Sequence, residues 1–197
     1  MARIAFILDD TFEDSEFRVP YDRLTQAGLD CVVIASEGKK QVKGKKGEEV
    51  VTPDRHVGEV SSSEFDALVI PGGYSPDRLR MDPAMVRFTR EFFDSGKTLA
   101  AVCHGPWMLA EADVLGGRTV TSWPSIRTDL VNAGAEWVDR EVVEDGNLIT
   151  SRKPGDLAAF SDAIQRHLSS EIIDRTGMHE SRGARPEEHP TIKGFTT

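Results

Sequence analysis

Short apolar runs alternate with amphipathic stretches along most of this chain. That alternation admits few folds, because it is the pattern of strand-helix-strand units laid around a parallel sheet. Arg3–Leu8 and Cys31–Ala35 read as buried strands. Between them, Phe17, Tyr21, Leu24 and Ala27 recur at helical spacing over residues 14–27, and Gly28 takes the C-terminal cap position. Phe65–Ile70 and Thr98–Val102 continue the sheet, with a helix over Pro83–Ser95 capped at Asp82. Pro106–Ala112 reads as helix, Thr119–Ser122 as a short strand, and Ser125–Asn132 as a helix closed by Gly134. Glu136–Val143 and Asn147–Ser151 flank Asp145-Gly146, a two-residue hairpin signal. A last helix over Asp156–Leu168 sets Leu157, Phe160, Ile164 and Leu168 on one face. The expectation is one domain over residues 1–168, followed by a charged extension over 169–197 packed on the core or on a partner subunit.

Within this frame one stretch carries chemistry, Leu99-Ala-Ala-Val-Cys103-His104-Gly105-Pro106-Trp107. An apolar strand ends on a nucleophile-type residue, a glycine permits a tight turn, and Pro106 opens a helix at the position proline favours. This is the pattern of a nucleophile elbow, and it sets Cys103 at the carboxyl edge of the sheet, where open α/β folds bind ligands. A helix N-terminus favours thiolate, so the Cys103 thiol is expected below its ordinary value. Gly72 and Gly73 end the neighbouring strand and offer backbone N–H groups at the same edge; with the N–H of His104 they could form an oxyanion hole.

The acidic loop Asp9-Asp10-Thr11-Phe12-Glu13-Asp14 also follows a strand. From it Glu13 is expected beside Cys103, with a raised pKa and a proton-shuttling role, and Asp14 as helix cap. Neighbouring residues of an elbow point apart, so His104 is expected to act through its backbone or after polarisation by an acid from elsewhere. Trp107 and Trp123 are candidates for the pocket wall. The run Lys39, Lys40, Lys43, Lys45 and Lys46 reads as a solvated hairpin, because Glu48 and Glu49 follow at once and no aromatic residues are interleaved.

Charge and cysteine usage exclude several function classes. Lys and Arg number 24 against 33 Asp and Glu, a net charge of -9, which does not suit a protein built to coat nucleic acid or anionic membrane. No apolar run reaches the roughly 18 residues a spanning helix needs, and Asp9 and Asp10 interrupt any signal-peptide core, so a cytoplasmic location is expected. Cys31 and Cys103 form no C-x-x-C pair, and Cys31, within Leu-Asp-Cys-Val-Val-Ile, reads as a packed core thiol. His56, His104, His167, His179 and His189 show no ligand spacing, and neither a dinucleotide nor a Walker fingerprint is present, so no metal and no cofactor are expected.

Taken in order, several motifs resemble the PfpI family of the ThiJ superfamily. They are Phe12-Glu13-Asp14, Phe65-Asp66-Ala67-Leu68 with Pro71-Gly72-Gly73, Cys103-His104-Gly105-Pro106, Asn132-Ala133-Gly134-Ala135-Glu136, and Ser151-Arg152-Lys153-Pro154-Gly155-Asp156-Leu157. The resemblance spans about residues 2–168. It implies a flavodoxin-like three-layer sandwich with a mostly parallel sheet, of the class I glutamine amidotransferase-like type, assembled as a dimer and sometimes a hexamer. Members are described as intracellular cysteine peptidases, cofactor-independent glyoxalases, protein deglycases and stress-response proteins. Carried over, Cys103 is the nucleophile, Glu13 its carboxylate partner and His104 the adjacent histidine. Asp77 stands where the peptidase members place an acid that reaches histidine from a neighbouring subunit. That Asp is one methylene shorter than the peptidase Glu, and Trp123 replaces a pocket tyrosine. Amidotransfer needs a downstream His-x-Glu, which is absent.

The leading expectation is a stress-protective enzyme acting on small reactive carbonyls or glycated protein. The alternatives are peptide hydrolysis within an oligomer, and a non-enzymatic oxidation sensor or holdase working through Cys103.

Overall fold

The computed structural model describes the backbone of residues 1–176 and the side chains of residues 1–170. At its centre lies β1 (Arg3–Ile7), whose Ile4, Ala5, Phe6 and Ile7 are fully buried on both faces, as a parallel strand covered by helices on either side must be. On one flank come β2 (Asp30–Ala35) and then β5 (Arg55–His56). On the other come β6 (Ala67–Ile70), β7 (Thr98–Val102), β11 (Leu148–Ser151) and β10 (Val142–Asp145). Every pairing in this seven-stranded sheet is parallel except that of the edge strand β10 with β11.

Helices cover both faces. α1 (Asp14–Gln26) and α6 (Leu157–Thr176) bury Phe17, Leu24, Leu157, Phe160 and Ile164 against Ile4, Phe6 and Val33. On the opposite face α3 (Pro83–Asp94), α4 (Pro106–Glu111) and α5 (Arg127–Asn132) bury Phe88, Phe92, Met108, Leu109 and Leu130 against Ile34, Leu68 and Leu99. The architecture is the flavodoxin-like three-layer sandwich. The expected caps form: Gly28 takes φ +83° after α1, and Asp82 Oδ1 accepts the Ala84 N–H at 2.9 Å at the start of α3.

Three expectations are corrected. Glu136–Val143 is not one strand: β9 (Glu136–Trp137) pairs with β8 (Thr119–Val120) in a separate two-stranded sheet, and β10 starts only at Val142. The register Asp145↔Leu148 also makes Gly146-Asn147 the hairpin loop, with Gly146 at φ +60°. The last helix runs on to Thr176 instead of ending at Leu168; residues 177–197 of the charged extension lie outside the described residues. A short helix the sequence pattern concealed, α2 (Ser75–Leu79), follows Gly73.

Topology positions the site. From β1 the chain winds outward to β2 and β5, then returns to β6 on the other flank, which makes the carboxyl ends of β1 and β6 a switch point. The loops leaving β1, β6 and β7 therefore meet at one edge.

Candidate active site

Cys103 follows β7 directly with φ +62°, a conformation that costs a non-glycine residue free energy and that only an over-determined turn retains. Three contacts fix it. The Cys103 N–H donates to Ser151 O at 3.0 Å, its carbonyl accepts the Trp123 N–H at 3.0 Å, and the Gly105 N–H closes onto Val102 O at 2.8 Å. A Cβ on Gly105 would stand 2.5 Å from Ile70 O, so glycine is the residue that lets the turn pass under β6. The elbow read from the sequence thus forms.

The carboxyl beside Cys103 is that of Glu16, and this corrects the expectation for Glu13. Glu16 is fully buried; its carboxyl hydrogen-bonds the Cys103 thiol, Oε2 accepts the Gly72 N–H at 3.0 Å, and Oε1 has no partner. Burial, reinforced by the charge of Glu13, pushes its pKa up to about 8. Glu13 moves the other way. Burial alone would raise it, but hydrogen bonds and charge from Lys45 and Lys46 outweigh that and hold it below the ordinary carboxylate value. Its Oε2 is ion-paired with Lys45, and its Oε1 lies 3.2 Å from Lys46 Nζ. Glu13 lines the pocket as an ionised, paired carboxylate and does not serve as the raised acid.

The Cys103 thiol is likewise not lowered. Burial pushes it up, the neighbouring Glu16 charge pushes further, and the N–H groups of Gly73 and His104 pull only partly back. α4 is six residues long, too short a dipole to reverse the sign. Glu16 and Cys103 are two acids in contact, and a negative charge on one opposes ionisation of the other. The thiolate is favoured when the carboxyl holds a proton and donates it to sulfur.

His104 is closer than elbow geometry suggests. Its Nδ1 lies 3.3 Å from Cys103 Sγ, and its Nε2 lies 3.2 Å from Ser125 Oγ. Burial and the Lys45 charge lower its pKa, so the ring is neutral near pH 7. Asp77 does not reach it within the chain: the Asp77 carboxylate is half exposed on α2 and accepts Arg80 Nη2 at 2.6 Å. Trp107 does not line the pocket either. It lies against the His104 ring with centroids 5.0 Å apart, and its indole N–H donates to Asp129 Oδ2 at 2.8 Å.

Of the two glycines, Gly73 lines the pocket and directs its N–H at Cys103, whereas the Gly72 N–H is taken by Glu16. Gly72 is instead a spacer, since a Cβ there would sit 2.5 Å from Glu16 Oε2 and 2.7 Å from Cys103 Cβ. The pocket encloses about 290 Å³ and is lined by Glu13, Glu16, Lys45, Gly73, Tyr74, Cys103, His104, Trp123 and Pro154.

Sequence reading missed Glu16, Lys45 and Tyr74. The lysine-rich segment does form a solvent-facing hairpin, β3 (Val42–Lys43) with β4 (Val50–Val51), with Lys40, Lys43, Lys45 and Lys46 exposed, but its loop also packs on the start of α1. The Asp14 carboxylate, expected as a helix cap, accepts the N–H groups of Lys46 at 2.9 Å, Glu48 at 3.1 Å and Glu49 at 2.9 Å. Gly44 leaves room for it, since a Cβ there would meet Asp14 Oδ1 at 2.1 Å. The hairpin is thereby tied to the start of α1 and delivers Lys45 into the pocket. Among the described residues no three His, Cys, Asp or Glu side chains gather as metal ligands, and no helix is long and apolar enough to cross a membrane.

An elbow cysteine beside the switch point of a doubly wound sheet, sharing its pocket with a buried acid and a neutral imidazole, is an arrangement suited to a cysteine-dependent α/β enzyme. Comparison with known proteins narrows this class. Residues 2–167 match the DJ-1/PfpI family, and the chain belongs to it. Over 169 residues it is 50% identical to protein/nucleic acid deglycase 2 of Escherichia coli, spanning 85% of this chain and 98% of that one. It is 48% identical over 158 residues to deglycase PfpI of Pyrococcus furiosus, spanning 80% and 94%. Among solved structures, a two-domain protein of Anabaena variabilis containing DJ-1/ThiJ/PfpI-like and ferritin-like domains superposes with a TM-score of 0.82 at 42% identity, covering 93% of this chain and 52% of that one.

Proposed function

We propose that this chain is a cysteine-nucleophile enzyme acting on reactive carbonyls, a deglycase of the cofactor-independent glyoxalase type with a stress-protective role. The observation that carries this reading is the contact between Glu16 and Cys103: an acid with pKa raised to about 8 lies against the thiol in the pocket. Such a carboxyl can give and take a proton near neutral pH, which an ordinary carboxylate cannot do efficiently. The names of the Escherichia coli and Pyrococcus relatives support the same class.

With methylglyoxal as substrate the steps balance without an external oxidant. Cys103 sulfur adds to the aldehyde carbon, and the proton held by Glu16 passes to the new oxygen, giving a hemithioacetal. The Glu16 carboxylate then removes the proton from that carbon and returns it to the adjacent carbonyl carbon, while the hydroxyl proton passes to the ketone oxygen. This internal redox exchange leaves a thioester of lactate, which water hydrolyses to lactate and free thiol. On a glycated amine in its hemiaminal form, sulfur bonds to the carbinol carbon as the carbon–nitrogen bond breaks, and the proton held by Glu16 leaves with the amine, giving the same hemithioacetal. The N–H groups of Gly73 and His104 face the sulfur and steady negative charge there. Lactate formation from methylglyoxal tests the reading. Loss of output in Cys103→Ala is expected; equal output from wild type and Cys103→Ala overturns it.

Peptide hydrolysis is the second reading, favoured by the 3.3 Å approach of His104 Nδ1 to sulfur. It requires an acid on His104 from another subunit, with Asp77 as candidate, and predicts that Asp77→Asn abolishes amidase activity in an intact oligomer. We place the protein in the cytoplasm as a homo-oligomer, with the dimer as its basic unit.

A further inference from the structure

The pocket holds an amine of its own. Lys45 lines the same cavity as Cys103 and is 41% exposed, so a carbonyl compound that reaches the sulfur also reaches the lysine. An unprotonated amine attacks an aldehyde readily: nitrogen bonds to the carbonyl carbon, a proton moves from nitrogen to oxygen, and loss of water leaves an imine. In a pocket that concentrates the aldehyde, this reaction would compete with turnover and block the site.

The surroundings of Lys45 oppose it. Its ammonium is ion-paired with Glu13 Oε2, and Glu13 is buried, only 4% exposed, with Oε1 near Lys46 Nζ at 3.2 Å and accepting the Ser15 hydroxyl at 3.3 Å. The lysine cannot swing away easily, because the loop that bears it is tied down by Asp14 and by the Lys45 N–H donating to Phe12 O at 2.8 Å. A surface hairpin has no need of a buried carboxylate to pair one of its lysines.

We infer that Glu13 is a guard residue: by holding the Lys45 ammonium it keeps the pocket's own amine from condensing with the carbonyl substrate meant for Cys103. The inference rests on the proposed carbonyl chemistry. It makes Lys45 a latent modification site and gives Glu13 a protective role distinct from the proton shuttle of Glu16. The Glu13 hydrogen bond raises the Lys45 pKa, so less of the reactive free amine is present.

The experiment exposes the full-length protein to methylglyoxal, traps imines with borohydride, and maps the adducts by peptide mass. Cys103→Ala is the background, so that turnover does not consume the reagent. With Glu13 in place, Lys45 should be trapped more slowly than the exposed Lys153, and Glu13→Gln should bring trapping at Lys45 up to at least the Lys153 rate while Lys40 and Lys153 stay unchanged. Glu13→Asp, which keeps the carboxylate, should restore much of the protection. If Lys45 is trapped as fast as Lys153 with Glu13 in place, or if Glu13→Gln leaves Lys45 unaffected, the guard role is overturned. Should Glu13→Gln unfold the protein, trapping would rise at all lysines together, and the wild-type comparison of Lys45 with Lys153 still decides. The mapping does not depend on turnover, so a failure of lactate formation in the wild type would count against the proposed function alone.

Discussion

Cys31 sits on a strand and Cys103 just past the end of another strand of the same sheet, and burial pushes both thiols up, Cys31 to about 11. Ease of ionisation therefore does not separate them. Their positions do. Cys31 is the second residue of β2, at the amino edge of the sheet, and a hydrogen bond with Thr25 is its main polar contact. Cys103 leaves β7 at the carboxyl edge, where three loops converge to supply a carboxyl, an imidazole and two N–H groups. A reactive cysteine in this fold is a matter of which edge it occupies, and of whether another acid there can exchange its proton.

The largest effect should follow from deleting each thiol in turn. Cys103→Ala is expected to cut lactate formation by ~10³-fold or more, to the background of the free reaction, while Cys31→Ala stays within about twofold. Comparable losses in the two variants would erase the distinction between the edges.

Glu16→Gln sharpens it by leaving sulfur in place and removing only the exchangeable proton. A loss of ~10²–10⁴-fold in kcat is expected, the usual range for general acid–base catalysis. The same substitution should stabilise the fold. Glu16 rises from an ordinary 4.5 to about 8 in the folded protein, so the folded state binds its proton more tightly than the unfolded state does. The stability this contributes is fully present below pH 4.5 and is lost as pH rises through about 8. A glutamine has no proton to lose, so the variant should melt higher than wild type at pH 8 and show a smaller difference at pH 5. Thermal melts at the two pH values check the sign, and a variant less stable at both would refute the burial of an acid as its cause.

How much of this was legible in the sequence follows from the same contrast. Strands and the longer helices are a matter of apolar runs and their spacing, and the elbow announces itself through Val102-Cys103-His104-Gly105-Pro106, so the parallel-sheet class and the elbow could be read directly, whereas the short α2 could not. The acid could not be chosen by spacing from the strand, because Asp9, Asp10, Glu13, Asp14 and Glu16 crowd one loop and the first turn of a helix. Helical phase held the missing signal. Glu16 shares a stripe with Pro20 and Leu24 at i+4 and i+8, all buried, which marks it as the carboxylate facing the sheet, while Glu13 precedes α1. Lys45 left no local trace. Its place depends on Asp14 gathering the N–H groups of a loop some thirty residues away, a long-range contact that charge patterning alone reads as solvated surface.

The pH profile of turnover is a smaller but more discriminating effect. Loss of the first proton from the Glu16–Cys103 pair creates the anion from which sulfur attacks, so kcat/KM should rise with pH and level off above about 8. At pH 6 it should lie ~10²-fold below the plateau, since each pH unit below the pKa removes about a tenfold share of the ionised form. A profile flat from pH 6 to 9 would mean that proton exchange within the pair does not limit the reaction.

Ser125→Ala probes the weakest element of the carboxyl-edge constellation. The hydroxyl meets His104 Nε2 at 3.2 Å, and it occupies the place where a peptidase triad would require an acid. If His104 only packs beside sulfur as a neutral ring, losing one hydrogen bond of about 0.5–1.5 kcal/mol should lower kcat/KM less than about tenfold. It should also leave the pH profile in place, because the titrating pair is Glu16 and Cys103. A larger loss, together with a shifted profile, would make His104 the proton carrier. The chemistry of the carboxyl edge would then move from carbonyl isomerisation toward hydrolysis, with Cys103 paired to its imidazole and Glu16 reduced to a buried support.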